Sequence, residues 1–341
     1  MRMIQSEKVK KKTSIGGQAL IEGIMMRGPE KTAMAVRNTD GEIVMEVFPT
    51  AGKNRASFLK LPFIRGVFNF IDSMSVGYRC LMRSAELAGL DEEPEKPKKS
   101  AAVVTSLSDG EAAVQPGTEK ENTEIKEKKD KDIWMTIILI LSVLLGTVLA
   151  VGLFITLPAF LFNLLKSAVP ALDNNIWRAV IEGLMRIALF ILYISVVSLA
   201  KDIRRVFMYH GAEHKTIFCY EKGEELTVEN VRRQSRFHPR CGTSFMIFML
   251  IIGIVVSMFI TATNPLVRTG LKLLTIPVVV GVGYEMIKLA GRSESRIVRA
   301  LSMPGLWIQR ITTKEPTDDM IEVAIKAFNE VVPEDPDSDK F

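Results

Sequence analysis

Between Ile133 and Leu165 the chain carries no charged side chain, and between Arg240 and Arg268 it carries none either. A run of roughly 20 apolar residues spans a hydrocarbon core of about 30 Å, and inside lipid every backbone group must be paired within the protein, so such runs form helices. Two runs of this kind exclude a reading as one soluble domain. Whole-chain averages hide them: 48% hydrophobic and 24% charged residues would suit an ordinary soluble protein.

Four apolar segments follow from the pattern. Ile133–Leu157 and Phe245–Thr263 are the clearest. Ile176–Ala200 contains Arg178, Glu182 and Arg186 at four-residue steps. That spacing puts all three on one helix face, where Glu182 can pair with either arginine. Charges confined to one face point into a bundle or a wet cavity, and an ion pair locking two helices is preferred to a proton or ion path. Leu266–Ala290 holds Lys272, Pro277, Glu285 and Lys288, and Pro277 should kink it. No inverted repeat relates the segments, which weighs against a secondary transporter. The loop Lys201–Ser244 carries nine Lys and Arg and Arg292–Arg310 carries four, so both are expected in the cytosol, with both termini on that side.

Around these segments the chain divides further. Residues 91–132 hold 12 acids and 8 bases, a contribution of −4 to a net charge of +5. With so little apolar surface to offset ordering entropy, they are expected to be a disordered linker. The remaining positive surplus lies beside the apolar segments, where it suits anionic lipid head groups. Arg232, Arg233, Arg236 and Arg240 have only Phe237 among them as a stacking aromatic, so no nucleic acid is expected as a partner. Three cysteines without disulfide spacing suit a reduced compartment, and no apolar signal core follows the basic start at once.

Residues 1–90 are expected to be a cytosolic or membrane-surface α+β region. Thr32–Arg37 and Glu42–Phe48 flank Asn38-Thr39-Asp40-Gly41 and predict a β-hairpin. Gly16–Gly23 is glycine-punctuated and predicts a strand in close approach to other backbone. Pro62–Leu87 has apolar residues at helical spacing, which predicts one or two amphipathic helices, lying on the bilayer or covering the hairpin. Gln18, Glu22 and Arg27 are read as parts of a turn-rich structural element rather than a site. Pro316–Val332 predicts a last helix, with Asp318 and Asp319 in its first turn.

The chemistry-bearing residues cluster. All three histidines of the chain lie between positions 210 and 238, as His210-Gly-Ala-Glu213-His214 and His238-Pro-Arg-Cys241. On a helix His210 and His214 stand one turn apart on one face, the spacing at which two imidazoles grip one metal ion. Glu213 is placed to be a ligand or a general base. A third ligand must come from elsewhere; His238 and Cys241 are first choices and Glu285 a more distant one. Imidazole with thiolate suits Zn²⁺ before Mg²⁺ or Ca²⁺. Four protein ligands would make the site closed and structural, whereas three would leave room for water and catalysis. The bland alternative is a set of interfacial histidines, with Cys219 as plain core.

The segments Gly16–Gly28 (GGQALIEGIMMRG), His210–Lys215 (HGAEHK), His238–Thr243 (HPRCGT) and Gly305–Arg310 (GLWIQR), with the helix after Glu315-Pro316, together resemble the YqhQ family of bacterial membrane proteins. The resemblance spans most of the chain outside the linker. It implies a multi-pass membrane protein with metal-dependent enzyme activity, and it brings no substrate or catalytic residue.

The expected architecture is therefore mainly α: a four-helix transmembrane bundle over 133–290, the small N-terminal α+β region, and a cytosolic helical segment over 291–341. The expected function is a metal-dependent, hydrolase-type enzyme at the cytosolic membrane face, with His210, His214 and His238 holding the ion and Glu213 activating water. The alternative is a non-catalytic scaffold in which Cys241 completes a structural site. The bilayer is the expected partner, with other membrane proteins or further copies of the chain beside it.

Overall fold

The structure is a computed structural model and describes residues 12–50, 57–90, 137–138, 140–292 and 295–339. The linker expected over 91–132 lies outside the described residues. Of the described residues, those from 137 to 161 belong to one compact unit and the others to a second.

The N-terminal region is an antiparallel meander of β1 (Gly16–Leu20), β2 (Gly23–Arg27), β3 (Lys31–Arg37) and β4 (Ile43–Pro49), in that spatial order. The described helices are α1 (Ile64–Leu87), α2 (Ile140–Ala168), α3 (Asn175–Val197), α4 (Lys201–Glu221), α5 (Val228–Arg232), α6 (Gly242–Met258), α7 (Pro265–Leu274), α8 (Ile276–Arg292), α9 (Arg296–Thr312) and α10 (Asp318–Val331). The described residues are thus mainly helical with one small sheet.

The expected hairpin is β3–β4, with Arg37 opposite Ile43. Its turn ends on Gly41 at φ 85°, a conformation that a side chain would strain. The glycine-punctuated stretch folds as the β1–β2 hairpin, with Leu20 opposite Gly23. Successive strand residues point to opposite faces, and the middle strands are apolar at nearly every position because both faces are covered. Ile24, Met26, Ala33 and Ala35 pack against Tyr209 and Ala212 of α4 and Met320, Val323 and Phe328 of α10. Leu20, Met25, Met34 and Val36 pack on the other face against Val76 and Cys80 of α1. Each fully buried large side chain stabilises this core by about 1.5–3 kcal/mol. Helix α1 also keeps a second apolar stripe outward: Ile64, Phe68, Ile71, Met74, Tyr78 and Met82 recur every three or four residues and are exposed.

Two helices are long and apolar enough to cross a membrane: α2, with 29 residues, and α3, with 23. Helix α2 contains a π-helical turn over Gly152–Thr156. The pair α7 and α8 would make a third span if taken together, but it bends by 41°. The expected segment Phe245–Thr263 appears as α6, apolar but only 17 residues long. So two or three candidate spans stand where four were expected. The break between α7 and α8 falls at Thr275, two residues before Pro277. Proline removes the hydrogen bond to the carbonyl four residues earlier and crowds it, so the disruption shows upstream of the ring.

Candidate metal centre

Helix α4 rises from the apolar helices into the sheet core, and its C-terminal half is almost wholly buried. It presents His210 and His214 on one face. The chain then passes through α5 and an extended stretch that delivers Cys241 as the N-cap of α6. That stretch is fixed by Gln309 of α9, which is fully buried. Its Oε1 accepts from the His238 N–H at 2.8 Å, while its Nε2 donates to the His238 carbonyl at 2.8 Å and to Ser244 Oγ at 3.1 Å.

His210, His214 and Cys241 come together, with one potential ligand atom from each lying within 4.8 Å of the others. The cluster could hold a metal ion. Both imidazoles are fixed from behind: His210 Nδ1 lies 2.9 Å from the Thr312 carbonyl oxygen, and His214 Nδ1 lies 2.5 Å from that of Arg236. A carbonyl can only accept, so each Nδ1 is the protonated nitrogen, and in the neutral ring each Nε2 keeps its lone pair. His210 Nε2 is 3.1 Å from Cys241 Sγ. His214 Nε2 is buried and has no hydrogen-bond partner among the described residues. A buried imidazole lone pair left without a donor is costly, and a cation seated beside His210 and Cys241 would satisfy it. Metal-bound histidines are characteristically oriented in this way, by a carbonyl on the far ring nitrogen.

The electrostatics favour a thiolate. Burial would raise the Cys241 thiol, but His210 and His214 outweigh burial and hold it well below the ordinary thiol range. Its position at the start of α6 acts in the same direction. Burial likewise lowers His210, yet Cys241 and Glu213 reverse this and raise it to about 9.

Glu213 lies beside the cluster on the sheet side. Burial raises its carboxyl above the ordinary range against the pull of His210 and His214, and the Gly17 N–H donates to it. A Cβ on Gly17 would sit 3.0 Å from the Glu213 carboxyl carbon and 2.8 Å from the Met25 carbonyl oxygen, so only glycine brings β1 this close. Gly17 also lines a cleft of about 370 Å³ with Gln18, Arg27 and Ser73.

His238 is turned elsewhere. Its ring packs on Phe218 with centroids 4.6 Å apart and on His214 at 5.6 Å, and its Nε2 lies 3.6 Å from Glu221 Oε2. Burial lowers His238 to about 4, assisted by Arg240 and His214. Glu221 also receives Arg240 and the Thr13 N–H. Burial alone would raise Glu221, but His238 and Arg240 hold it below the ordinary carboxyl range. Glu285 pairs with Arg65 at 2.5 Å. Glu22 pairs with Arg205 and Arg27 with Asp72. Cys219 is buried core. Sequence reasoning gave Gln309 no role, although it lies in the GLWIQR segment that carries the family resemblance.

The family model described as "Protein of unknown function (DUF1385)" matches residues 61–334. The chain is similar to the "Uncharacterized protein YqhQ" of Bacillus subtilis (strain 168), with 36% identity over 320 residues, covering 93% of this chain and 92% of that protein. No solved structure matches the chain.

Proposed function

The chain belongs to the DUF1385 family, and we propose that it is an integral membrane protein that holds a zinc ion at its cytosolic face for a hydrolytic reaction. His210, His214 and Cys241 are the ligands and Glu213 is the proton acceptor. One observation carries the reading: both histidines are anchored through Nδ1 to backbone carbonyls, next to a thiolate, and the buried His214 Nε2 has no other partner among the described residues. Two imidazoles and a thiolate are donors that Zn²⁺ prefers over Mg²⁺ or Ca²⁺. A zinc ion with three protein ligands supplies a Lewis acid and a water of pKa near 7. Glu213, its carboxyl raised above the ordinary range by burial and held by the Gly17 N–H, lies beside the cluster as the proton acceptor.

The membrane reading draws on α2, α3, the bent α7–α8 pair and the shorter α6, with both termini in the cytosol by the excess of lysine and arginine in the flanking loops. The outward stripe of α1 suits a helix lying in the head-group layer.

A second reading keeps the ion and drops the catalysis. Glu213 is only 6% exposed, which suits a fourth ligand in a closed structural site. Metal analysis of purified protein separates the readings. The double variant His210→Ala/His214→Ala should lose zinc under either. Glu213→Gln should keep zinc if Glu213 is the base and lose it if Glu213 is a ligand. Equal, near-zero metal in wild type and double variant would end both.

A further inference from the structure

A second polar cluster lies among the apolar helices, and it has the opposite need. Glu182 of α3 is completely buried. It accepts from Arg178 at 2.8 Å and from Arg186 at 3.1 Å on its own helix, and from Lys272 of α7 at 2.6 Å. One carboxylate is thus shared by three cations. Arg268 stands one turn before Lys272 on α7, close enough to interact electrostatically with Glu182, Arg178 and Arg186.

Arg268 is only 4% exposed. Its Nη1 donates to the Ile260 carbonyl at 2.7 Å and to Asn175 Oδ1 at 3.1 Å. Its Nε and Nη2 are buried with no hydrogen-bond partner among the described residues. These are adjacent edges of one planar fork, the pair that meets two oxygens of a phosphate or carboxylate. Burying a guanidinium with that edge unused is costly, and a surplus of cations around one carboxylate adds repulsion. Beside it lies an apolar cleft of about 490 Å³, lined by Val256, Phe259, Ile260, Ala262, Leu271 and Leu274. The Ile260 carbonyl that anchors Arg268 belongs to that lining.

We propose that Arg268, supported by Lys272 and Arg178, holds a phosphate oxyanion, carried either by an anionic lipid head group whose acyl chain occupies the adjoining cleft or by free phosphate. A lipid would match both features, an anion for the fork and a hydrocarbon chain for the cleft. Ionisable groups at membrane depth mark functional positions by default, and Arg268 is the residue of this cluster whose buried N–H groups lack a hydrogen-bond partner among the described residues.

The test uses the full chain, purified in detergent and stripped of lipid, with thermal unfolding followed as phosphatidylglycerol, phosphatidylcholine or inorganic phosphate is added. Phosphatidylglycerol raising the Tm while phosphatidylcholine does not supports the site with a lipid source. Inorganic phosphate acting alone supports the same site with a soluble source. The shift should vanish in Arg268→Gln and persist in part in Arg268→Lys, which keeps the charge and loses the fork. Should Arg268→Gln fail to fold, the wild-type titration still decides. No shift with either anion, or a shift that survives in Arg268→Gln, overturns the proposal.

Discussion

The candidate metal centre and the Glu182 cluster are buried polar sites with opposite deficits. Around His210, His214 and Cys241 the protein gathers electron-pair donors, and the partnerless atom is an imidazole nitrogen. Around Glu182 it gathers cations, and the atoms without a partner among the described residues are Nε and Nη2 of Arg268. The settings differ as well. The first cluster is held by rigid backbone, through the Thr312 and Arg236 carbonyls and the Gln309 clamp. The second is held by side chains reaching between α3 and α7. The contrast teaches that burial alone does not define a site. The sign of the missing partner, and whether backbone or side chains fix the donors, point to what each would bind.

The largest expected effect lies in the second cluster. Glu182→Gln leaves the partly buried Arg178, Arg186 and Lys272 without the fully buried counter-charge they share, and should destabilise the protein by about 3–5 kcal/mol in a thermal or denaturant melt. A loss below 1 kcal/mol would mean that water or an anion already compensates these cations.

Next comes acid. Buried His238 is lowered to about 4, below the ordinary value near 6.5 that it regains on unfolding. Between those values the unfolded chain binds the extra proton, so stability should fall as pH drops through this window, by roughly 3 kcal/mol at most. Glu221 is lowered too, so its contribution is present above the unfolded carboxyl value near 4.3 and is lost as pH falls through its folded value. His238→Asn should flatten the upper part of that profile, and an unchanged profile would remove His238 from this role.

A smaller effect tests the backbone half of the contrast. Gln309→Ala orphans the His238 N–H and carbonyl, and should cost about 1–3 kcal/mol. Because the clamp positions the segment that delivers Cys241, metal affinity should fall by about 10–100-fold, as for other outer-shell partners. Gly17→Ala should change stability alone, because a methyl group must push on the Met25 carbonyl and on Glu213. It should cost about 1–3 kcal/mol by overpacking while leaving zinc bound.

The β3–β4 hairpin was legible in the chain because Gly41 and the apolar runs on either side of it are local signals, whereas the glycine-punctuated stretch was read as one strand and folds as the β1–β2 hairpin. So was the histidine pair, whose spacing is set by one helix. The Arg178–Glu182–Arg186 face could be read for the same reason, but its links to Lys272 and Arg268 could not. Those residues lie about 90 positions away on a helix whose rotation only packing decides. His238 shows the same limit. Spacing made it as good a ligand candidate as Cys241, and the rival attraction of Glu221 and Arg240 depends on where α4 ends against the returning loop. The four expected spans became two or three because α6 stops at Met258 after 17 residues and the last run bends at the break before Pro277.

The central claim is that the cluster at the end of α4 binds zinc through two imidazoles and one thiolate. Zinc K-edge X-ray absorption on the purified full chain reads that shell directly. The account predicts one sulfur at about 2.3 Å with two imidazole nitrogens and one further light atom at about 2.0–2.1 Å, and loss of the sulfur in Cys241→Ser. A protein that purifies without metal and takes none up, or a shell without sulfur, would contradict it.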